Sequence, residues 1–416
     1  MLHQPERFDL ATADNNPRPK LAYFAIPVFI GLIALFESWH FVSFFRVFTF
    51  SAVALLLADI AWLTRGKLRD FFIILTSLAV GLIIIEGVSD SMMHQTGGTL
   101  APRGVFSPAQ PIIGWGPAAP GRFHDYRIDS AGKTIYDANY TIDHNLLRQT
   151  LSCKKGPPVV FFGCSFTFGD GVNDNETLPQ NFSDLLDRKL RVLNLGFTGY
   201  GPQQFLREEE TGRFDKVIGP DPKLFVFLTA VWHAERTACK AYWTAIAPRY
   251  VVKNDKVVYV GDCNPHGPSR WFRDWLENTA LYREFVEPYR RQLTHDDIEL
   301  YIRITDAAVQ LAKTKYNAST VILYLRSDAS FFRGTGFTDD EIMQRLRQGG
   351  ATVIDASLQK EPPAKISIQG DGHPTPYANQ LRASILKNYL AEHAPSLLQS
   401  ASDPQCQGAT ASGSAD

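Results

Sequence analysis

The sequence lacks an excess of either charge. Its 42 lysines and arginines meet 43 aspartates and glutamates, a formal net charge of −1 over 416 residues. No global field exists to hold a phosphate backbone, so a basic DNA-coating protein is excluded and no nucleic-acid partner is expected. It also lacks the spacings of a bound metal or nucleotide. No pairing of Cys and His resembles a zinc site, and no glycine-rich loop runs into a lysine, so no metal and no cofactor are expected. Cysteine is scarce, at five residues. The most telling absence is local: residues 21–36, 47–58 and 71–85 carry no charge at all.

Those three runs, rich in Phe, Leu and Ile and without a polar face, reach near spanning length once flanking residues are included. They predict three membrane helices within 21–88, following a cytoplasmic N-terminus of residues 1–20. A cleavable leader fits poorly, because about twenty polar residues precede the first run, no small-residue cleavage site follows it and two further runs come after. Arg7, Arg18 and Lys20 precede the first run, and Arg65, Lys67 and Arg69 lie between the second and third, whereas the first connection holds only Arg46. Both basic segments belong inside, which places everything after the third run outside the inner (plasma) membrane, on the periplasmic or extracellular face. Asp59, near the cytoplasmic end of the second run, is expected to snorkel or to pair with Arg65.

Residues 89–112 are rich in Gly, Pro, Ser and Thr and read as a linker, and 396–416 as a disordered tail. Between them, at 113–395, short β-branched runs alternate with helical stretches. Val159 to Phe162, Val192 to Leu195, Leu224 to Leu228, Thr320 to Leu325 and Thr352 to Ile354 read as buried strands; residues 176–189, 295–315, 338–348 and 376–392 read as helices. The pattern predicts a doubly wound, mostly parallel α/β sheet flanked by helices in three layers. Chemistry in such a sheet is sought just after the strands.

Three segments stand there. Gly163, Cys164 and Ser165 follow the first strand, where a tight turn exposes the hydroxyl and aims backbone N–H groups at an oxyanion. Gly196 to Gly201 follows the second, where glycine admits close backbone approach. Asp371, Gly372 and His373 precede the last helix, and a His beside an Asp can take a proton from a serine while the carboxylate orients it. In that order these segments resemble the SGNH, or GDSL-type, hydrolase superfamily over roughly residues 113–395. The resemblance extends to Gly114, Trp115 and Gly116, to the segment ending at Asp143, and to Leu147 and Arg148. It implies Ser165 as nucleophile, His373 as general base, Asp371 as its orienting acid, and the backbone N–H groups of Ser165 and Gly199 as oxyanion donors.

The sequence departs from the family pattern twice. Cys164 replaces the usual Asp before the serine, a tolerable change, since the chemistry needs the serine and its N–H. The third block usually supplies an Asn, but Thr229 to Arg236 contains none. His233 can substitute as third donor and Arg236 can anchor an anionic substrate group; if neither does, a missing donor costs roughly 3 kcal/mol of transition-state stabilisation.

An insertion at about 234–274 follows this block. Two alternating strands joined at Asn254 and Asp255 read as a hairpin, with a possible disulfide across its base between Cys239 and Cys263; Cys153 and Cys406 can pair or stay free. Its aromatic residues, Tyr242, Trp243, Tyr250 and Tyr259 among them, either stack on sugar rings or pack the hairpin onto the domain. Arg283, Arg290 and Arg291 read as a solvated helix face. The function expected is a membrane-anchored ester hydrolase acting on acyl, chiefly acetyl, esters of an envelope or extracellular glycan. Two alternatives stand beside it: an O-acetyltransferase using the same residues with a membrane acyl-donor protein, and a catalytically silent glycan-binding or scaffold domain.

Overall fold

The computed structural model describes residues 21–38, 45–96, 108–129, 131–264 and 268–399. The expected cytoplasmic N-terminus, part of the expected linker and most of the expected tail, with Cys406, lie outside the described residues. The chain divides into two compact units, one of residues up to Thr96 together with Trp275–Val286, the other of the remainder.

The first unit begins with α1 (Leu21–Ser38), α2 (Phe45–Leu63) and α3 (Gly66–Thr96). Two of these are long and apolar enough to cross a membrane, over Arg46–Leu63 and Gly66–Met92, while α1 carries a shorter apolar stretch, Tyr23–Glu37, and holds Pro27 within it. α3 continues to Thr96, so the segment after Val88, expected to be linker, is helical at its start. Asp59 does not pair with Arg65; one of its carboxylate oxygens is enclosed without a hydrogen-bond partner among the described residues.

In the second unit, after a short antiparallel pairing of Ala109–Gln110 with Gly114–Trp115, stands an antiparallel hairpin, β1 (Gly121–Ile128) and β2 (Thr134–Ile142). There follow β3 (Val159–Phe162), α4 (Ser165–Phe168), α5 (Leu178–Asp184), β4 (Val192–Asn194), α6 (Pro202–Thr211) and β5 (Leu224–Ala230). The insertion supplies a second hairpin, β6 (Pro248–Lys253) and β7 (Lys256–Asp262), whose turn residues Asn254 and Asp255 both take positive φ, as a tight two-residue turn requires. After it come α7 (Pro268–Glu277) and α8 (Ala280–Phe285), then α9 (His295–Tyr316), β8 (Thr320–Leu325), α10 (Asp339–Gln348), β9 (Thr352–Asp355) and α11 (Pro376–His393).

Five of these strands form one parallel sheet in the order β9-β8-β5-β3-β4. The strands bury both faces, which is why they read as unbroken apolar runs rather than alternating ones. Phe225 and Phe227 of β5 join Phe162, Ile322 and Tyr324 in a core shared with α6 and α9. Val226 and Leu228 point the other way, with Val159, Phe161 and Leu323, toward α5 and α11. The strand order reverses direction at β3, so the carboxyl ends of β3 and its neighbours border the switch point where such sheets bind ligands.

Helix boundaries follow their caps. Thr294 opens α9 by accepting from the Asp297 N–H, and Asn317 closes it in a left-handed conformation. Thr375 opens α11, with Pro376 as its first residue. α5 is shorter than the pattern at 176–189 suggests, because Asp187 and Arg188 adopt positive φ and end any helical continuation.

Candidate active site

The first block is built by a strand that stops at Phe162 and a helix that starts at Ser165. Ser165 is the first residue of α4, so its N–H has no partner within the helix. The turn needs small residues: a Cβ at Gly163 would lie 1.9 Å from Thr167 Oγ1, and one at Gly196 would lie 2.8 Å from the Phe168 nitrogen. Asn194, at the end of β4, fixes the two blocks together. Its side chain donates to the Thr167 carbonyl at 3.0 Å and accepts from the Gly196 N–H at 3.0 Å. Ser165 is 6% exposed.

The turn leaving α4 is held by β2 and the chain after it. Arg148 is buried, with its guanidinium carbon 4.2 Å from the Tyr140 ring centre and 4.7 Å from that of Phe168. It donates to Asp174 at 2.8 Å and to the Val172 carbonyl at 3.0 Å. Tyr140 accepts from the Gly171 N–H at 2.8 Å. Asp170 lies on this turn: its N–H donates to the Ser165 carbonyl at 3.0 Å, and its buried carboxylate accepts from the Thr198 hydroxyl at 2.9 Å.

Thr198 belongs to the second block, which is clamped along its backbone. Trp115 donates its indole N–H to the Thr198 carbonyl at 2.8 Å, Trp243 donates to the Gly199 carbonyl at 3.4 Å, and Arg236 donates to the Tyr200 carbonyl. Gly199 itself sits at φ +79°, a conformation that favours glycine and turns its N–H relative to its neighbours. Trp243 comes from the insertion and Trp115 from the lead-in, so both segments shape this loop. Arg236 thus serves the protein backbone. Arg291, expected on a solvated helix face, is partly exposed and forks onto Glu235 at 2.8 and 2.9 Å.

The third block places His233 in a fully buried position. Its Nδ1 lies 2.8 Å from Thr229 Oγ1, which lies 3.0 Å from the Tyr301 hydroxyl. Its Nε2 is enclosed without a hydrogen-bond partner among the described residues. Burial, with the nearby Arg236 charge adding to it, holds the ring's pKa well below the usual value, so it is neutral. Trp232 lies 5.9 Å from the Phe166 ring.

The last block brings His373 and Asp371 together. His373 Nδ1 bonds to Asp371 Oδ1, and Arg127 of β1 donates to Asp371 Oδ2 at 2.7 Å. Burial alone would raise the Asp371 carboxyl, but the bonded His373 and Arg127 outweigh it and hold the pKa at about 2. Asp371 is thus an anion that fixes the ring through Nδ1. The His373 ring packs edge-on to Phe166, the residue after Ser165, at 5.7 Å. Its Nε2 faces Asp170 Oδ2 at 3.8 Å. Ser165 Oγ makes no hydrogen bond to His373 among the described residues; contacts of this kind often close only with substrate bound.

Sequence reasoning missed two groups. Arg127 lies on a hairpin strand far from the motifs, with nothing local to mark it. Asp170 stands inside the first block, five residues after Ser165, yet no rule of spacing assigns it a partner. Among the described residues no group of three or more His, Cys, Asp or Glu side chains is arranged to hold a metal. Cys239 and Cys263 are joined in a disulfide that closes the inserted hairpin; Cys153 is disulfide-bonded and Cys164 is a free, buried thiol.

No family model matches the chain, and no curated protein does. Among solved structures it is similar to a Desulfitobacterium hafniense protein described as lipolytic and of the G-D-S-L family. The two are 14% identical, the match covers 56% of this chain and 99% of that one, and the TM-score is 0.33.

Proposed function

We propose that this chain is a membrane-anchored serine esterase that removes acyl groups, acetyl first among them, from an envelope or extracellular glycan. The observation that carries the reading is the Arg127–Asp371–His373 relay, set edge-on against the residue that follows Ser165. Ser165 Oγ attacks the ester carbonyl as His373 Nε2 takes its proton, and Asp371 stabilises the imidazolium that forms. The N–H groups of Ser165 and Gly199 receive the negative charge on the carbonyl oxygen. His373 returns its proton to the leaving sugar hydroxyl, and water, deprotonated by the same ring, releases the acid. His233 suits a third donor: Thr229 donating to Nδ1 leaves the proton of the neutral ring on Nε2, the atom without a partner.

The membrane part of the reading rests on surface. A core helix of a soluble protein is mostly buried, whereas only 11% of the Gly66–Met92 window is. Such a length of exposed apolar helix needs hydrocarbon around it.

The test uses the full chain in detergent or nanodiscs with p-nitrophenyl acetate and an acetylated glycan oligomer, followed by mass spectrometry. Ser165→Ala and His373→Ala should each abolish nitrophenol release above background. Acetate lost to water supports the esterase, whereas acetyl appearing on an unacetylated oligomer in the same tube makes the protein a transferase. Equal release from all three proteins would overturn the catalytic reading in favour of a silent binding domain.

A further inference from the structure

The segment that follows α7's midpoint leaves the catalytic unit and joins the helical one. Residues 274 and 287 belong to the catalytic unit, yet Trp275–Val286 between them belongs to the unit of α1, α2 and α3. Its attachments are specific. Trp275 donates its indole N–H to Glu37 at 2.8 Å; Glu37 in turn pairs with Arg46, whose guanidinium carbon lies 5.3 Å from the Trp275 ring centre. Phe50 meets the same indole edge-on at 5.6 Å. Glu86, within the apolar window of α3 and only 2% exposed, accepts from the backbone N–H groups of Ala280 at 2.7 Å and Leu281 at 2.9 Å. Thr279 accepts from the Tyr282 N–H at 3.1 Å.

These bonds satisfy the orphan N–H groups that open α8. Water does this for an exposed helix; in hydrocarbon, where no water competes, an internal partner is obligatory. A carboxylate inside an apolar helix, spent on two backbone donors, fits the second environment. The depth is consistent as well. Glu37, Arg46, Phe50 and Glu86 all lie toward the end of the helices opposite Arg65, Lys67 and Arg69. Beyond the attachments, Phe285 is 55% and Val286 41% exposed, in the same unit as the exposed Ile84, Ile85 and Val88 of α3.

We propose that Trp275–Val286 is a membrane-interface element, with Trp275 and Tyr282 at headgroup level and Phe285 and Val286 in the acyl boundary of the outer leaflet of a phospholipid bilayer. It rests on the membrane reading of α2 and α3. Aromatic rings concentrate at that level because they have one apolar and one polar end, and the pairing of Glu37 with Arg46 keeps the two charges neutralised there. Its consequence is that the catalytic unit is joined to the bilayer at two points of the chain, before residue 97 and at 275–286.

The experiment places a nitroxide at Phe285→Cys, at Ile74→Cys within the apolar window of α3, and at Lys256→Cys on the inserted hairpin, each in the full chain in phospholipid nanodiscs. Relative accessibility to oxygen and to a water-soluble nickel chelate is then read, with the parent protein as background for Cys164. Loss of nickel accessibility at 285, as at 74 and unlike 256, is the expected result. A label at 285 that is as accessible to nickel as that at 256, while 74 is oxygen-rich, would overturn the proposal alone. Nickel access at 74 as well would bring down the membrane reading with it. Adding Glu86→Ala should move the label at 285 toward nickel; no movement would remove Glu86 from the tether.

Discussion

His373 stands between two carboxylates, and the two are expected to act differently. Asp371 is bonded to Nδ1 and held at a pKa of about 2, below the roughly 3.9 of an unfolded Asp. A depressed carboxyl stabilises the fold above the unfolded pKa and loses that contribution as pH falls through the folded one. Asp371→Asn should therefore flatten the loss of stability between about pH 4 and pH 2, measured by thermal unfolding, and reduce kcat by about 10³- to 10⁴-fold at neutral pH through the wrong tautomer. Asp170 faces Nε2 across 3.8 Å and accepts from Thr198. Its charge favours the imidazolium, so Asp170→Asn should shift the acid limb of the kcat/KM profile to lower pH by on the order of one unit. An unmoved limb with a lowered kcat would reduce Asp170 to a strut for the Thr198–Gly199 loop. The placement of Ser165 and Gly199 after strands, and of Asp371 and His373 before a helix, is legible in the sequence because each sits in a short motif beside an element end. Arg127 is not, because a salt bridge between residues 127 and 371 leaves no trace in either neighbourhood. His233 was legible as a position but not as an environment; its pairing with Thr229 and Tyr301 depends on α9 crossing β5.

At the scale of elements, the five parallel strands were readable because strands buried on both faces are continuous apolar runs, and α9 to α11 because their period and caps agree. The hairpin of β1 and β2 was not, since its half-exposed strands mix Arg, His, Asp and Tyr with few aliphatic residues. That hairpin and the chain after it hold the turn after Ser165 through Arg148. Burial lowers the Arg148 pKa, while Asp174 and Tyr140 oppose the shift. Arg148→Met would leave the Val172 carbonyl without its side-chain donor, the Gly169 carbonyl with the Val172 N–H alone, and Asp174 Oδ1 with the Thr141 N–H alone. Asp174 is partly exposed and keeps a backbone donor, so the cost is chiefly that of the buried carbonyls left under-bonded, about 1–3 kcal/mol. A lower melting temperature is expected together with loss of esterase activity, since the turn carries Ser165 and Asp170. A melting temperature within error of the parent would show that water replaces the guanidinium at that site.

For the whole molecule, the sequence suggests a simple partition, with membrane helices up to Val88, then a linker, then an independent catalytic domain. The division of the chain is different, because Trp275–Val286 belongs to the helical unit. A fragment beginning at Ser89 removes Glu37, Arg46, Phe50 and Glu86 together. It leaves the Trp275 indole and the Ala280 and Leu281 N–H groups without their partners, and it frees the side of α8 that α3 covers, beside Phe285 and Val286, which are already exposed. Exposed aromatic and aliphatic surface of that kind drives association. The fragment is expected to elute as aggregates or to require detergent in size-exclusion chromatography. The same fragment with residues 275–286 replaced by a Gly-Ser linker should elute as a monomer, because residues 274 and 287 then rejoin within one unit. If the unmodified fragment is monomeric without detergent, the segment folds onto the catalytic unit when its helices are absent, and the two-point attachment is a preference rather than a requirement. If both fragments aggregate, the catalytic unit itself depends on α1 to α3, and activity can be assigned only to the full chain.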